Sequence, residues 1–116
     1  MTKDLVFREL DKYIFEIRFD RPQRMNALGV RTVAALSQAI ADAAAHHARV
    51  ILLRGSGRAF CSGADLKERQ GMDLAGKLAH NASIRAAIDS VAGASCVTIA
   101  VLNGLALGGG LDVKLQ

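Results

Sequence analysis

Between residues 4 and 19 apolar and polar positions alternate in strand fashion, at Leu5, Phe7 and Leu10 and then at Ile14, Ile17 and Phe19. A period of two is the signature of strands, and Asp11-Lys12 is a plausible turn between an antiparallel pair. Arg21-Pro22 closes the second strand, because proline has no N–H for a ladder and restricts the residue before it. From Leu28 to about His46 the period lengthens. Val33, Leu36, Ile40 and Ala43 or Ala44 recur at three- and four-residue steps, while Arg31, Gln38 and Asp42 fall mostly outside the stripe. That spacing predicts a helix, with Asn26 as its N-cap candidate. Val50–Leu53 reads as a short buried strand, broken by Gly55-Ser56-Gly57. Ser62–Lys67 reads as a loop running into a short helix. Residues 72–92 predict a second long helix, with Leu74, Leu78, Ile84, Ile88 and Val91 as its apolar face. Val97–Leu102 predicts another buried strand, after which residues 103–112 open a further helix. Strands and helices in this order make an α/β domain. No linker, repeat or low-complexity stretch divides it.

Composition narrows the classes. Hydrophobic residues make up 51% and aromatics only 4%, so the interior must be aliphatic and alanine-rich. The net charge of +4 comes from 15 basic and 11 acidic residues. These are scattered, with no basic run that would serve as a nucleic-acid arm. The helix from 28 to 46 carries Arg31 and two terminal histidines as its only basic residues, too thin a footprint for RNA. Cys61 and Cys96 form no Cys-x-x-Cys pair and fit free thiols in a reducing cytosol. Met-Thr-Lys-Asp-Leu lacks an apolar signal core, and no apolar run approaches the roughly 20 residues of a spanning helix. The expectation is a cytoplasmic protein with no membrane or nucleic-acid partner. No spacing of His, Cys or acidic residues suggests a metal site.

The strongest chemical signal is Asn103-Gly104-Leu105-Ala106-Leu107-Gly108-Gly109-Gly110-Leu111-Asp112. Consecutive glycines let backbone approach a ligand closely, and a helix start presents N–H groups without partners. Such a site suits an oxyanion. Cys61 lies near the same region, but no histidine is placed beside it, and a small buried thiol is the better reading. His46 and His47 sit at a helix end, where they complement its dipole. His80 falls on the polar side of its helix.

Two further stretches complete a pattern: Arg21-Pro22-x-x-x-Asn26-Ala27-Leu28, and Phe60-Cys61-Ser62-Gly63-Ala64-Asp65-Leu66-Lys67-Glu68. With Asn103-Gly104-x-Ala106-x-Gly108-Gly109-Gly110, in this order, the chain strongly resembles the crotonase family of enoyl-CoA hydratases and isomerases. The resemblance covers nearly the whole of residues 1–116 but only the N-terminal part of a family member. It implies a crotonase-like β-β-α spiral, truncated before the second half of the core and the C-terminal helices that build trimers in relatives. It also implies stabilisation of an acyl-CoA thioester enolate by two backbone N–H groups, which by position match Ala64 and Gly109. Coenzyme A enters as part of the substrate, and no separate cofactor is expected. The stretch Ala64-Asp65-Leu66-Lys67 matches the lining of adenine and pantetheine. Arg24 matches a basic residue near the CoA phosphates, and Ala27 and Leu28 would flank the pantetheine channel. Lys67 and Arg69 read as a solvated face that also attracts those phosphates. Hydratase-type relatives use two glutamates on water. Asp112 occupies the first position with a shorter arm, and either catalysis or helix capping would explain it. The second position lies beyond Gln116. Residues 1–116 alone are therefore expected to lack hydratase activity. The alternative is a non-catalytic fragment or assembly subunit that binds CoA thioesters.

Overall fold

The computed structural model describes residues 4–102 and 104–106. Strands β1 (Leu5–Asp11) and β2 (Ile14–Phe19) pair antiparallel, as the alternation requires. The turn sits one residue later than expected, at Lys12-Tyr13, with Tyr13 at φ 64° and Asp11 Oδ1 accepting the Lys12 N–H. A 3₁₀ turn at Pro22–Arg24 leads to helix α1 (Val30–Ala45). Strand β3 (Val50–Gly55) then returns parallel to β2, in a register that sets Ile17 beside Leu53. Next come the short strand β4 (Ala59–Cys61), the single-turn helix α2 (Leu66–Arg69) and the long helix α3 (Leu74–Ala92). Strand β5 (Val97–Ala100) pairs parallel with β3, and β6 (Leu105–Ala106) pairs parallel with β4. The main sheet runs β1-β2-β3-β5, with β4-β6 as a separate pair. This is a mixed α/β arrangement, as the order of strands and helices predicts.

The core lies between the sheet and α1 and α3. Leu5, Ile17, Phe19, Ile51 and Leu53 face inward from the strands, and Val33, Leu36, Ile40, Ile84, Ile88 and Val91 answer from the helices. Phe60 of β4 reaches the same cluster and meets Phe19 edge to face, with ring centroids 5.7 Å apart. Inward and outward residues alternate along β2. Glu16 therefore leaves the helix-covered face, yet it is fully buried among the guanidiniums of Arg8 (2.9 Å), Arg54 (3.3 Å) and Arg18 (3.4 Å). A buried carboxylate is tolerable only when it is paired in this way.

Four expectations need correction. Asn26 does not cap α1. Gly29 is the N-cap, and the first helical N–H, that of Val30, is received by Glu68 Oε1 from α2 (3.0 Å). Helix α3 starts at Leu74 because Asp73 caps it through the Gly76 N–H (2.8 Å). Leu74 and Leu78, assigned to its apolar face, are 72% and 59% exposed, and the buried stripe begins only at His80. The strand expected over 97–102 ends at Ala100 and is not buried on both faces, since Val97 is 60% and Ile99 45% exposed. It is an edge strand covered on one side only, so its apolar run was no measure of burial. Strand β4, only three residues long, has no period for a pattern to reveal.

Candidate functional site

Two segments meet at the site: residues 25–30, before α1, and residues 59–68, from β4 through α2. The first must turn sharply, and Met25 and Asn26 both take left-handed backbone, at φ 54° and 55°. Asparagine tolerates that region because its short amide can bond locally. Asn26 is 1% exposed and fully used. Its Oδ1 accepts the Arg21 N–H (2.8 Å), and its Nδ2 donates to the Ser56 and Ala59 carbonyls (both 2.9 Å). The Ser62 N–H is received by the Met25 carbonyl (3.1 Å), and Arg21 Nη1 donates to the Ala27 carbonyl (2.8 Å).

The central contact is a parallel bridge between Leu28 and Ala64. Leu28 donates its N–H to the Gly63 carbonyl (2.7 Å) and accepts the Asp65 N–H (3.0 Å). Both bonds go to the neighbours of Ala64, not to Ala64 itself. The Gly63 carbonyl and the Ala64 N–H belong to one planar trans peptide and point in opposite directions. Pinning the carbonyl toward Leu28 therefore aims the Ala64 N–H away from it. Among the described residues that N–H has no acceptor. Gly63 makes the turn at φ 96°, a conformation that a side chain would oppose. The result is one rigid, unengaged backbone donor with a direction set on both sides.

Asp65 holds the corner in place. Its carboxylate is 2% exposed and accepts from Arg24 Nη2 (2.6 Å), Arg21 Nη2 (3.0 Å) and the Glu68 N–H (3.1 Å). Burial pushes this carboxyl upward. The Glu68 N–H and the Arg21 and Arg24 guanidiniums outweigh that and hold it below the ordinary carboxylate range. Arg24, expected near phosphates, shares its charge with Asp65, and the Asp65 side chain caps α2. Ala27 and Leu28 are 7% and 2% exposed, while Leu66 is 68% exposed and Lys67 also reaches solvent. Burial pushes the Cys61 thiol up to about 11, partly offset by the Gly63 N–H, so at neutral pH it is a protonated core residue.

His80 does not lie on the polar side of α3. It is 2% exposed, with Nε2 at 2.9 Å from the Leu28 carbonyl and Nδ1 receiving Arg69 Nε (3.2 Å). Arg21, Glu68 and His80 were not read as site residues. Arg21 and Glu68 stand inside the quoted motifs, but nothing local announces partners 38 to 44 residues away.

Of the glycine-rich stretch, residues 104–106 are described. Strand β6 lies along β4 with Leu105 beside Ala59 and Ala106 beside Cys61. Gly104 is required there, because a Cβ would collide with the Arg58 carbonyl. Gly109 and Asp112, the other expected catalytic positions, lie outside the described residues. Among the described residues no group of His, Cys and acidic side chains could hold a metal ion, and no helix is long and apolar enough to cross a membrane.

The family model described as enoyl-CoA hydratase/isomerase matches residues 9–116. Human enoyl-CoA hydratase domain-containing protein 2, mitochondrial, is 39% identical over 107 residues, covering 90% of this chain and 37% of that protein. The crystal structure of an enoyl-CoA hydratase from Bacillus anthracis superposes with a TM-score of 0.91 at 31% identity, covering 97% of this chain and 44% of that one. An enoyl-CoA hydratase subunit from Geobacillus kaustophilus HTA426 gives 0.81 at 34% identity, with 97% and 43% covered. The chain thus spans about two fifths of the length of these relatives. Over that span, by sequence and by fold, it belongs to the enoyl-CoA hydratase/isomerase family.

Proposed function

We propose that this chain binds an acyl-CoA thioester and polarises its carbonyl oxygen with the backbone N–H groups of Ala64 and Gly109, in an enoyl-CoA hydratase or isomerase reaction. The observation that carries the proposal is the Ala64 N–H, fixed in direction by the Leu28 bridge and without an acceptor among the described residues. Its partner, Gly109, is assigned from the glycine triplet by which the sequence resembles the family. As a thioester enolate forms, negative charge gathers on the oxygen. A preorganised donor adapts to that charge without reorganising, and one such donor is worth about 3–4 kcal/mol at the transition state. Small residues suit this role because no side chain takes part.

In this reading Ala27 and Leu28 flank the pantetheine, and the stretch Ala64–Lys67 runs along the CoA moiety. Exposed Lys67 supplies positive charge toward its phosphates, and Arg24 adds what its pairing with Asp65 leaves. Asp112 would hold or activate water if the reaction is hydration. Trimer-based self-association, which the family resemblance implies, belongs to the same proposal and is read by sedimentation of the purified protein.

The test is a titration of the 116-residue protein with crotonyl-CoA, followed by binding and by loss of the enoyl-thioester absorbance. Saturable binding without turnover is expected, because the second acid–base position of hydratase-type relatives is not among these residues. Robust hydration would overturn the inactivity. Gly109→Pro removes a donor and should abolish activity in the complete enzyme and weaken thioester binding here, whereas Cys61→Ser should retain most of both. The reverse pattern would overturn the site.

A further inference from the structure

The buried stripe of α3 consists of Ile84, Ala87, Ile88 and Val91, and His80 continues it one turn toward the helix start. There the facing group is not an apolar side chain but the Leu28 carbonyl. That oxygen takes two donors, the Asp65 N–H at 3.0 Å and His80 Nε2 at 2.9 Å, and so fills both its lone pairs. Arg69 Nε–H can only donate, so Nδ1 of the ring must accept from it. The ring hydrogen therefore sits on Nε2 and is given to Leu28. Arg69 also contacts the Asn81 side chain and is held from α3 by two neighbouring residues. One buried imidazole thereby joins α2, α3 and the segment before α1.

We infer that His80 is a positioning residue for the thioester site. It fixes the Leu28 carbonyl through its tautomer, and Leu28 fixes the peptide that aims the Ala64 N–H. The inference rests on the reading that this N–H receives the thioester oxygen. Leu28 is the shared element, since its N–H pins the Gly63 carbonyl and its carbonyl receives both Asp65 and His80. Without the ring, one lone pair of the Leu28 carbonyl is left to water or to nothing. The bridge then keeps its own two bonds, Leu28 N–H to Gly63 and Asp65 N–H to Leu28, but loses the second donor that restrains the Leu28 carbonyl. A preorganised donor loses its advantage as soon as its direction varies.

The experiment compares the unaltered protein with His80→Gln, His80→Leu and Arg69→Met. Glutamine keeps an N–H at similar reach toward Leu28, leucine keeps only the bulk, and methionine releases Nδ1. Each protein is titrated with cinnamoyl-CoA, whose conjugated thioester band moves to longer wavelength when its carbonyl is polarised, and with free CoA, which has no such carbonyl. The unaltered protein and His80→Gln should give the same red shift and closely similar affinity. His80→Leu should lose the shift and bind the thioester about tenfold more weakly, and Arg69→Met about threefold more weakly with a reduced shift, as expected for one lost or loosened hydrogen bond. Free CoA should bind the unaltered protein and both His80 variants alike, which a merely structural role for His80 would not produce; Arg69→Met also removes a charge that attracts the CoA phosphates, and it is judged on the red shift. If His80→Leu does not fold, Arg69→Met decides, and a shift and affinity equal to the unaltered protein's would overturn the inference. If both variants keep the full shift, His80 is not a positioning residue while the assignment of Ala64 stands. If the unaltered protein shows no shift, the assignment of Ala64 falls and takes this inference with it.

Discussion

Helices α1 and α3 look alike on paper and behave differently in the fold. They are 16 and 19 residues long, and each carries apolar residues at helical spacing. Helix α1 buries its stripe from Thr32 to Ala43, nearly end to end. Helix α3 buries nothing before His80. Its second half is a core helix, and its first half runs beside α2, tied there by Arg69 to His80 and Asn81. Helical periodicity reports that a helix has two faces. It does not report which neighbour, if any, covers each turn. Where the neighbour is a backbone carbonyl and not an apolar layer, a histidine continues the stripe and the leucines around it face outward.

The contrast can be tested from its strongest point downward. Leu36 is 1% exposed in the middle of α1, and Leu36→Ala should cost about 2–5 kcal/mol in urea unfolding. A loss below 1 kcal/mol would mean that α1 is not the anchored helix. Asn26→Ala removes one donor each from the Ser56 and Ala59 carbonyls, and a loss of about 1–3 kcal/mol is expected. Asp65 sharpens the comparison through pH. Its folded carboxyl titrates below its unfolded value, so its stabilisation is complete above the ordinary carboxylate range and drains away as pH falls through that range and below it. Asp65→Asn should flatten the acid limb of the stability profile and leave its neutral-to-alkaline shape unchanged. The smallest effect belongs to Leu78, at 59% exposure: Leu78→Ala should stay within about 0.5 kcal/mol of the parent. Equal losses from Leu36→Ala and Leu78→Ala would erase the distinction between the two helices.

Legibility followed the range of the contacts. The β1–β2 hairpin and α1 declare themselves because alternation and three-to-four spacing are local properties of the chain. The edge character of β5 was hidden, since Val97 and Ile99 are as apolar as Ile51 and Leu53, and only the sheet order leaves them uncovered. Asn26 has the chemistry of a helix cap. Its actual work, binding carbonyls 30 and 33 residues away, could not be seen from its neighbours. His80 was misplaced for the same reason. Motif resemblance did single out Ala64, but the Leu28 bridge that orients its N–H appears only once the chain is folded.

The Leu28 bond to His80 closes a loop of 52 residues, and Arg21 and Arg24 reach Asp65 across 44 and 41. Contacts of such long range carry loop-closure entropy that local turns and hairpins escape. The Phe60–Glu68 stretch therefore has no recognition power as an isolated peptide. The direction of the Ala64 N–H is set by Leu28, 35 or more residues away in the chain. If the proposed reading holds, thioester recognition depends on the assembled tertiary structure and not on any one segment of the chain.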